Sequence, residues 1–185
     1  MVAWRKTDLS HDYMLNVAMG VIEGVSHINK FGENPNIEDG TKEDIWDGSV
    51  NYTFPTTATI THLSQTTDQA ALQSGLIEIQ GLDENWNLVV QEAVLDETDT
   101  TTPVEITTPL IRVFRMKCLA STMCSSNINL KNSAGTTTYA VIQSGKNQTL
   151  MAIYTVPAGK TAYMTQYYAS VIASTGKEPL SVDIE

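Results

Sequence analysis

From Thr57 onward polar and apolar side chains alternate with a period of two, the mark of an extended strand whose two faces meet different surroundings. Thr57-Ala58-Thr59-Ile60-Thr61-His62-Leu63, Ile77-Glu78-Ile79-Gln80, Asn127-Ile128-Asn129-Leu130-Lys131 and Leu180-Ser181-Val182-Asp183-Ile184 each predict a strand with one buried and one wet face. Residues 86–94, 110–116 and 149–154 are more apolar, as expected of central strands covered on both sides, and Trp86 falls on the apolar face of its run and reads as core. Gly81-Leu82-Asp83-Glu84-Asn85, Asn132-Ser133-Ala134-Gly135, Val156-Pro157-Ala158-Gly159-Lys160 and Thr175-Gly176-Lys177-Glu178-Pro179 supply the residues that chain reversals need. Abundant threonine suits a pleated, half-buried surface better than a helix. The pattern predicts an all-β fold, an antiparallel β-sandwich of jelly-roll-like character.

The first third is less regular. Met14, Val17, Ala18, Val21, Ile22, Val25 and Ile28 recur at helical steps after a possible Ser10 cap. Gly20 and Gly24 interrupt that run, each at a cost of about 1 kcal/mol in a helix interior, and its β-branched content favours two strands with a turn between them. Both readings stand on physics alone. Residues 31–56 carry turn residues and little periodicity, yet Phe31, Ile45, Trp46, Tyr52 and Phe54 give this stretch apolar anchors. It is expected to be a long ordered loop of the kind that reaches a partner or covers a neighbour. The 185 residues are expected to form an N-terminal arm over 1–12 and a single sandwich domain over 13–185, large enough to need no covalent staples.

Charge is distributed in two blocks. Between Lys42 and Arg112 stand 12 of the 21 acidic residues and no Lys or Arg, whereas from Arg112 to Glu185 seven basic residues face three acidic ones. A surface so short of clustered Lys and Arg excludes nucleic acid as a partner for the first block. Opposite poles on identical copies can attract head to side; the plainer reading is a solvated acidic surface. Cys118 and Cys124 lack the spacing of zinc pairs or a redox motif and are expected to be reduced thiols. Nothing before the charged Arg5, Lys6, Asp8 and Asp12 resembles the apolar core of a signal peptide, and no later uncharged run is apolar enough to span a bilayer, so no membrane partner is expected and the chain is expected in a reducing cytoplasm.

Candidates for chemistry are few. His11, His27 and His62 lack metal-ligand spacing, and Asp96-Glu97-Thr98-Asp99 lacks the ligand spacing of a calcium loop. Glu43, Asp44 and Asp47 flank Trp46 as acids flank an aromatic in a sugar-binding or sugar-cleaving cleft, and Trp46 with Tyr52 offers a stacking platform. Acids so close in one loop are more often simply solvated. No catalytic residue, cofactor or metal is expected, and the chain is not expected to be an enzyme.

His27-Ile28-Asn29-Lys30-Phe31-Gly32-Glu33-Asn34-Pro35-Asn36-Ile37 and Gly40-Thr41-Lys42-Glu43-Asp44-Ile45-Trp46-Asp47-Gly48 form two notable blocks. With Ile79-Gln80-Gly81-Leu82-Asp83 and the stretch Asn147-Gln148-Thr149-Leu150-Met151-Ala152-Ile153-Tyr154-Thr155-Val156-Pro157-Ala158-Gly159-Lys160-Thr161, the chain resembles a family of tailed-phage virion structural proteins common in marine podovirus-like genomes. The resemblance implies a noncatalytic β-rich particle component and favours strands over 13–31. It also implies further strands beyond the equivalent of Asp183-Ile184-Glu185, whose lack would leave an open sheet edge for strand addition. The expected function is a capsid decoration or cement protein of the virion, assembled in the host cytoplasm, partnered by the major capsid protein and by copies of itself as a homotrimer. Trp46, Tyr52, Phe54 and Phe31 are the expected contact residues, with Trp4 and Arg5 as a second handle. The alternative is a tail or spike module that binds host glycans.

Overall fold

The computed structural model describes residues 12–38, 40–48, 50–171 and 182. In it the alternating runs become antiparallel strands β1 (Ile60–Gln65), β2 (Leu76–Leu82), β3 (Leu88–Val94), β4 (Val104–Leu110), β5 (Arg112–Cys118), β6 (Ile128–Lys131) and β7 (Thr138–Ile142). They lie in two sheets, β4-β1-β6-β7 and β3-β2-β5. One apolar cluster joins Ile60 and Leu63 of β1, Ile128 and Leu130 of β6 and Ile142 of β7 to Ile77 and Ile79 of β2 and Val113 and Met116 of β5. The fold is therefore an antiparallel β-sandwich. The described strands are one short of the eight of a jelly roll.

Several expectations need correction. Residues 110–116 do not form one central strand: β4 pairs Leu110 with Ile60 in one sheet, β5 pairs Arg112 with Leu82 in the other, and the chain changes sheet at Ile111. Such corners are how a sandwich passes a strand from layer to layer. The 86–94 run starts later, at Leu88, and β3 lies at a sheet edge with Leu88, Val90 and Val94 exposed. Residues 149–154 form no strand; the chain bridges Lys117 of β5 through Gln148, and Thr149 bonds the backbone of Met116. Asn129 is buried, not wet, because its amide reaches Thr66 Oγ1 at 2.9 Å.

The chain divides into two compact units, Met1–Lys30 and Phe31–Glu185. In the first unit neither the long helix nor the pair of strands forms. A short helix α1 (Tyr13–Ala18) is capped by Asp12, whose carboxylate accepts from Leu15 N at 3.0 Å. Gly20 at φ +67° adopts the left-handed conformation that ends a helix. Ser10, the turn at 175–179 and the strand at 180–184, apart from Val182, lie outside the described residues.

In the second unit two of the five apolar side chains expected to anchor residues 31–56 are buried, and Phe31 and Phe54 stay half exposed. Trp46 and Tyr52 are buried in the main cluster with their rings 5.1 Å apart, edge to face. Trp46 Nε1 donates to Val50 O at 2.6 Å, and Tyr52 N donates to the Asp44 carboxylate at 2.6 Å. The loop is joined to the post-β7 chain by Glu33 N donating to Leu150 O, Ala152 N donating to Ile45 O and Leu150 N donating to the Asp47 carboxylate.

Candidate interaction surface

The six residues expected to meet a partner separate into three groups. Trp46 and Tyr52 are 3% and 7% exposed, so they anchor the loop from within and present no stacking face to a glycan. Phe54 and Phe31 remain half exposed. Trp4 and Arg5 lie outside the described residues. The structure thus brings together only the Trp46, Tyr52, Phe54 series, with Tyr52 and Phe54 centroids 4.9 Å apart.

Phe54 belongs to a stack that the sequence does not announce. The Arg112 guanidinium lies 5.2 Å from the Phe54 ring and 4.9 Å from the Trp86 ring. Its Nη1 donates to Pro55 O and Ile111 O, which fixes the β4–β5 corner against the loop. Trp86 is not a core residue. It sits in the β2–β3 turn at φ +62°, 36% exposed, held by its N–H on Asp83 O and by Ala158 N on its carbonyl.

The acids near Trp46 are engaged locally. Glu43 accepts from Asn34 Nδ2, Glu38 N and Thr41 Oγ1; the Asn34 bond above all holds its carboxyl below the usual carboxylate range. Asp47 is buried, and desolvation pushes its carboxyl up to about 6 despite the Leu150 N–H. In the 96–101 loop, Asp96 accepts from Thr98 and Asp99 and Asp99 accepts from Thr101, the bonds of a tight turn and not of a cation cage. His62 Nδ1 pairs with Thr61 Oγ1 at 2.8 Å. Two open concavities, of about 310 and 440 Å³, are lined by His62, Ser64 and Lys131 in one case and Lys117, Lys146 and Leu150 in the other; no carboxylate lines either. Cys124 is buried, its Sγ 2.7 Å from Lys146 O, and burial raises its pKa.

Further exposed apolar groups lie outside the six expected contact residues. Leu88, Val90 and Val94 are 57%, 59% and 49% exposed on the outer side of β3. Tyr163, Met164, Tyr167 and Tyr168 are exposed in a stretch without regular secondary structure that follows the turn closed by Lys160 N on Pro157 O. For this stretch the signal was available: residues 161–171 hold no charge and are rich in strand-forming Thr and Tyr.

Fold and surface together define a class, an antiparallel β-sandwich with a core-anchored loop and an apolar edge strand. Compared with protein-family models, curated proteins and solved structures, the chain matches none.

Proposed function

We propose that the chain is a noncatalytic component of a tailed-phage particle: a capsid decoration protein that binds the outside of the shell, bridges neighbouring copies of the major capsid protein and self-associates as a homotrimer. Its place of action is then the virion, assembled in the host cytoplasm. The observation that carries this reading is the concentration of exposed apolar and aromatic groups along β3 and residues 163–171, a surface suited to protein contact. The resemblance adds support, because the blocks at 27–37, 40–48 and 147–161 are the ones that bond to each other through Glu33, Ile45, Asp47, Leu150 and Ala152.

The test is stoichiometry. Purified virions and proheads should hold the chain in numbers comparable to the capsid protein, and chemical cross-linking should join it to that protein. A handful of copies per particle would move it to the tail or portal, and its absence from particles would remove the proposal.

A further inference from the structure

We infer that the outer edge of β3 is a strand-acceptor site and that its occupant is the 163–171 segment of a second copy of this chain. This deepens the reading of the chain as a self-associating shell component and rests on it only for the self-association.

The acceptor is open along both its edge and its outer face. In the β2–β3 ladder the bonded positions are marked by Asp83 N on Asn87 O at one end and Leu95 N on Gly75 O at the other. With partners summing as Leu76↔Val94 and Leu82↔Leu88, bonded pairs fall on odd-numbered residues of β3. The main-chain groups of Leu88, Val90, Glu92 and Val94 therefore point away from β2. Among the described residues β3 pairs only with β2. The same four residues carry the exposed side chains, three of them apolar. An edge strand of this length and apolarity is what soluble proteins ordinarily cover or interrupt with charge.

The other sheet edges differ. β5 is bordered by Gln148 and Thr149. β7 is buried from Tyr139 to Ile142 and packs with the Trp46 anchor. β4 is interrupted by Pro109, and Thr108 beside it is bonded by Gln91.

The occupant is chosen by composition, length and charge. Residues 161–171 contain no charged side chain, so the segment brings no ion of its own onto Leu88, Val90 and Val94, and Glu92 is the one charge on that face of β3. The nine residues 163–171 are long enough to match the seven of β3. Lys160 precedes the segment, while exposed Glu84 and Glu97 stand beyond the two ends of β3. Either strand direction thus brings Lys160 toward a carboxylate. In its own molecule the segment is rooted at the start of β3 by Ala158 N on Trp86 O, yet Tyr163 and Tyr168 are 85% and 87% exposed and the segment pairs with nothing described. Exchange of one identical strand between copies fills both open surfaces by main-chain pairing.

The test uses full-length chains. Native mass spectrometry and sedimentation from micromolar to submillimolar concentration should show an integer multiple of 20.2 kDa for the natural sequence. Val90→Lys removes the acceptor and Thr165→Pro/Tyr167→Pro removes the donor; each should shift the mass to 20.2 kDa with unchanged far-UV circular dichroism and melting, since all three side chains are exposed. Mixed, the two variants should recover an associated species, because one still offers a segment and the other an edge. A natural chain that stays at 20.2 kDa, as it would if the segment docked on its own β3, overturns the inference, as do variants that keep the natural mass or a mixture that stays dissociated. These masses are read on purified protein, so they separate failure of this junction from failure of the shell assignment, which copy number in particles decides.

Discussion

Asp47 holds a carboxylate where water barely reaches. It is 6% exposed, its Oδ2 accepts from Leu150 N, and its Oδ1 has no partner. Burial is the main cause of the rise from 3.8 to about 6; Glu33 adds to it, and the Leu150 N–H and Lys146 oppose it. Below pH 3.8 the group is neutral in both the folded and the unfolded chain and has no effect. As pH rises toward 6 the unfolded chain loses the proton first, so stability falls, and the loss levels off once the folded form has ionised too. The full difference is of the order of 3 kcal/mol, and relaxation around the site should leave about 1–2. Asp47→Asn keeps an acceptor for Leu150 and removes the charge. Urea midpoints of the two chains should agree near pH 4 and diverge in favour of Asn above about pH 6.5; a gap that does not change with pH would show that the charge is not at issue. A second residue acts through geometry alone. The Gln91 amide on β3 donates to Thr108 O and accepts from Thr108 N, both at 2.8 Å, so a side chain of one sheet supplies the ladder bonds of a β4 residue in the other. Gln91→Ala should lower unfolding free energy by about 2 kcal/mol, and Gln91→Glu, which can still accept but not donate, should recover only part of that. Equal stability of all three chains would mean water replaces the amide at no cost.

Gly32 marks the seam between the loop and the chain after β7. A Cβ there would meet Ala152 Cβ at 2.5 Å, Ala152 N at 2.6 Å and Ile45 O at 2.8 Å, two of them backbone atoms that cannot step aside cheaply. Gly32→Ala should therefore cost about 1–3 kcal/mol and hasten proteolysis within 31–56, measured against the natural chain. This seam was half legible in the sequence: the anchors Trp46 and Tyr52 stood out, but Leu150 and Ala152, more than a hundred residues beyond the Glu33, Ile45 and Asp47 they bond, carry no local sign of pairing. Strand β2 was legible because its alternation survives folding; β1 and β6 were legible in place but not in exposure, because a bulge puts both Ile60 and Leu63 inside β1 and Asn129 of β6 is buried with its neighbours. β4 and β7 were not singled out, the first because Pro109 breaks its pattern and the second because Tyr139-Ala140-Val141-Ile142 has no wet face to alternate with. The misreading of β3 is the most instructive. Ala93 faces the core while Leu88, Val90 and Val94 face out, so an edge strand with an apolar outer side has the same pattern as a central one. Over Met14 to Ile28, where helix and paired strands both stood open and the resemblance favoured strands, a helix forms only as far as Ala18, because glycine entropy and a left-handed Gly20 outweigh the periodicity.

At the scale of the whole sandwich, the linear charge blocks become two flanks. β1 and β4 come from the lysine- and arginine-free window and occupy one half of their sheet, with β6 and β7 in the other; β3 and β2 likewise lie to one side of β5. Across the layers β3 contacts β4 and β5 contacts β7; β3 and β4 carry Glu92 and Glu105 and no basic residue, while Arg115 and Lys117 lie on β5 and Lys146 follows β7, with Lys117 paired to Glu78 and Lys146 to Glu33. The 31–56 loop is fixed within this body, because Trp46 and Tyr52 belong to the cluster that holds both sheets together. A loop so placed is not an independent clamp arm. It should unfold with the sandwich in one transition, since removing Trp46 from the cluster exposes apolar surface on both layers at once. With Trp4→Phe and Trp86→Phe leaving Trp46 as the sole tryptophan, its fluorescence and the far-UV circular dichroism should report the same urea midpoint and slope. Trp46 emission that shifts at lower urea than the sheet signal would make the loop a separately melting unit, and contact with a partner would then fall to a segment free to reorder around it.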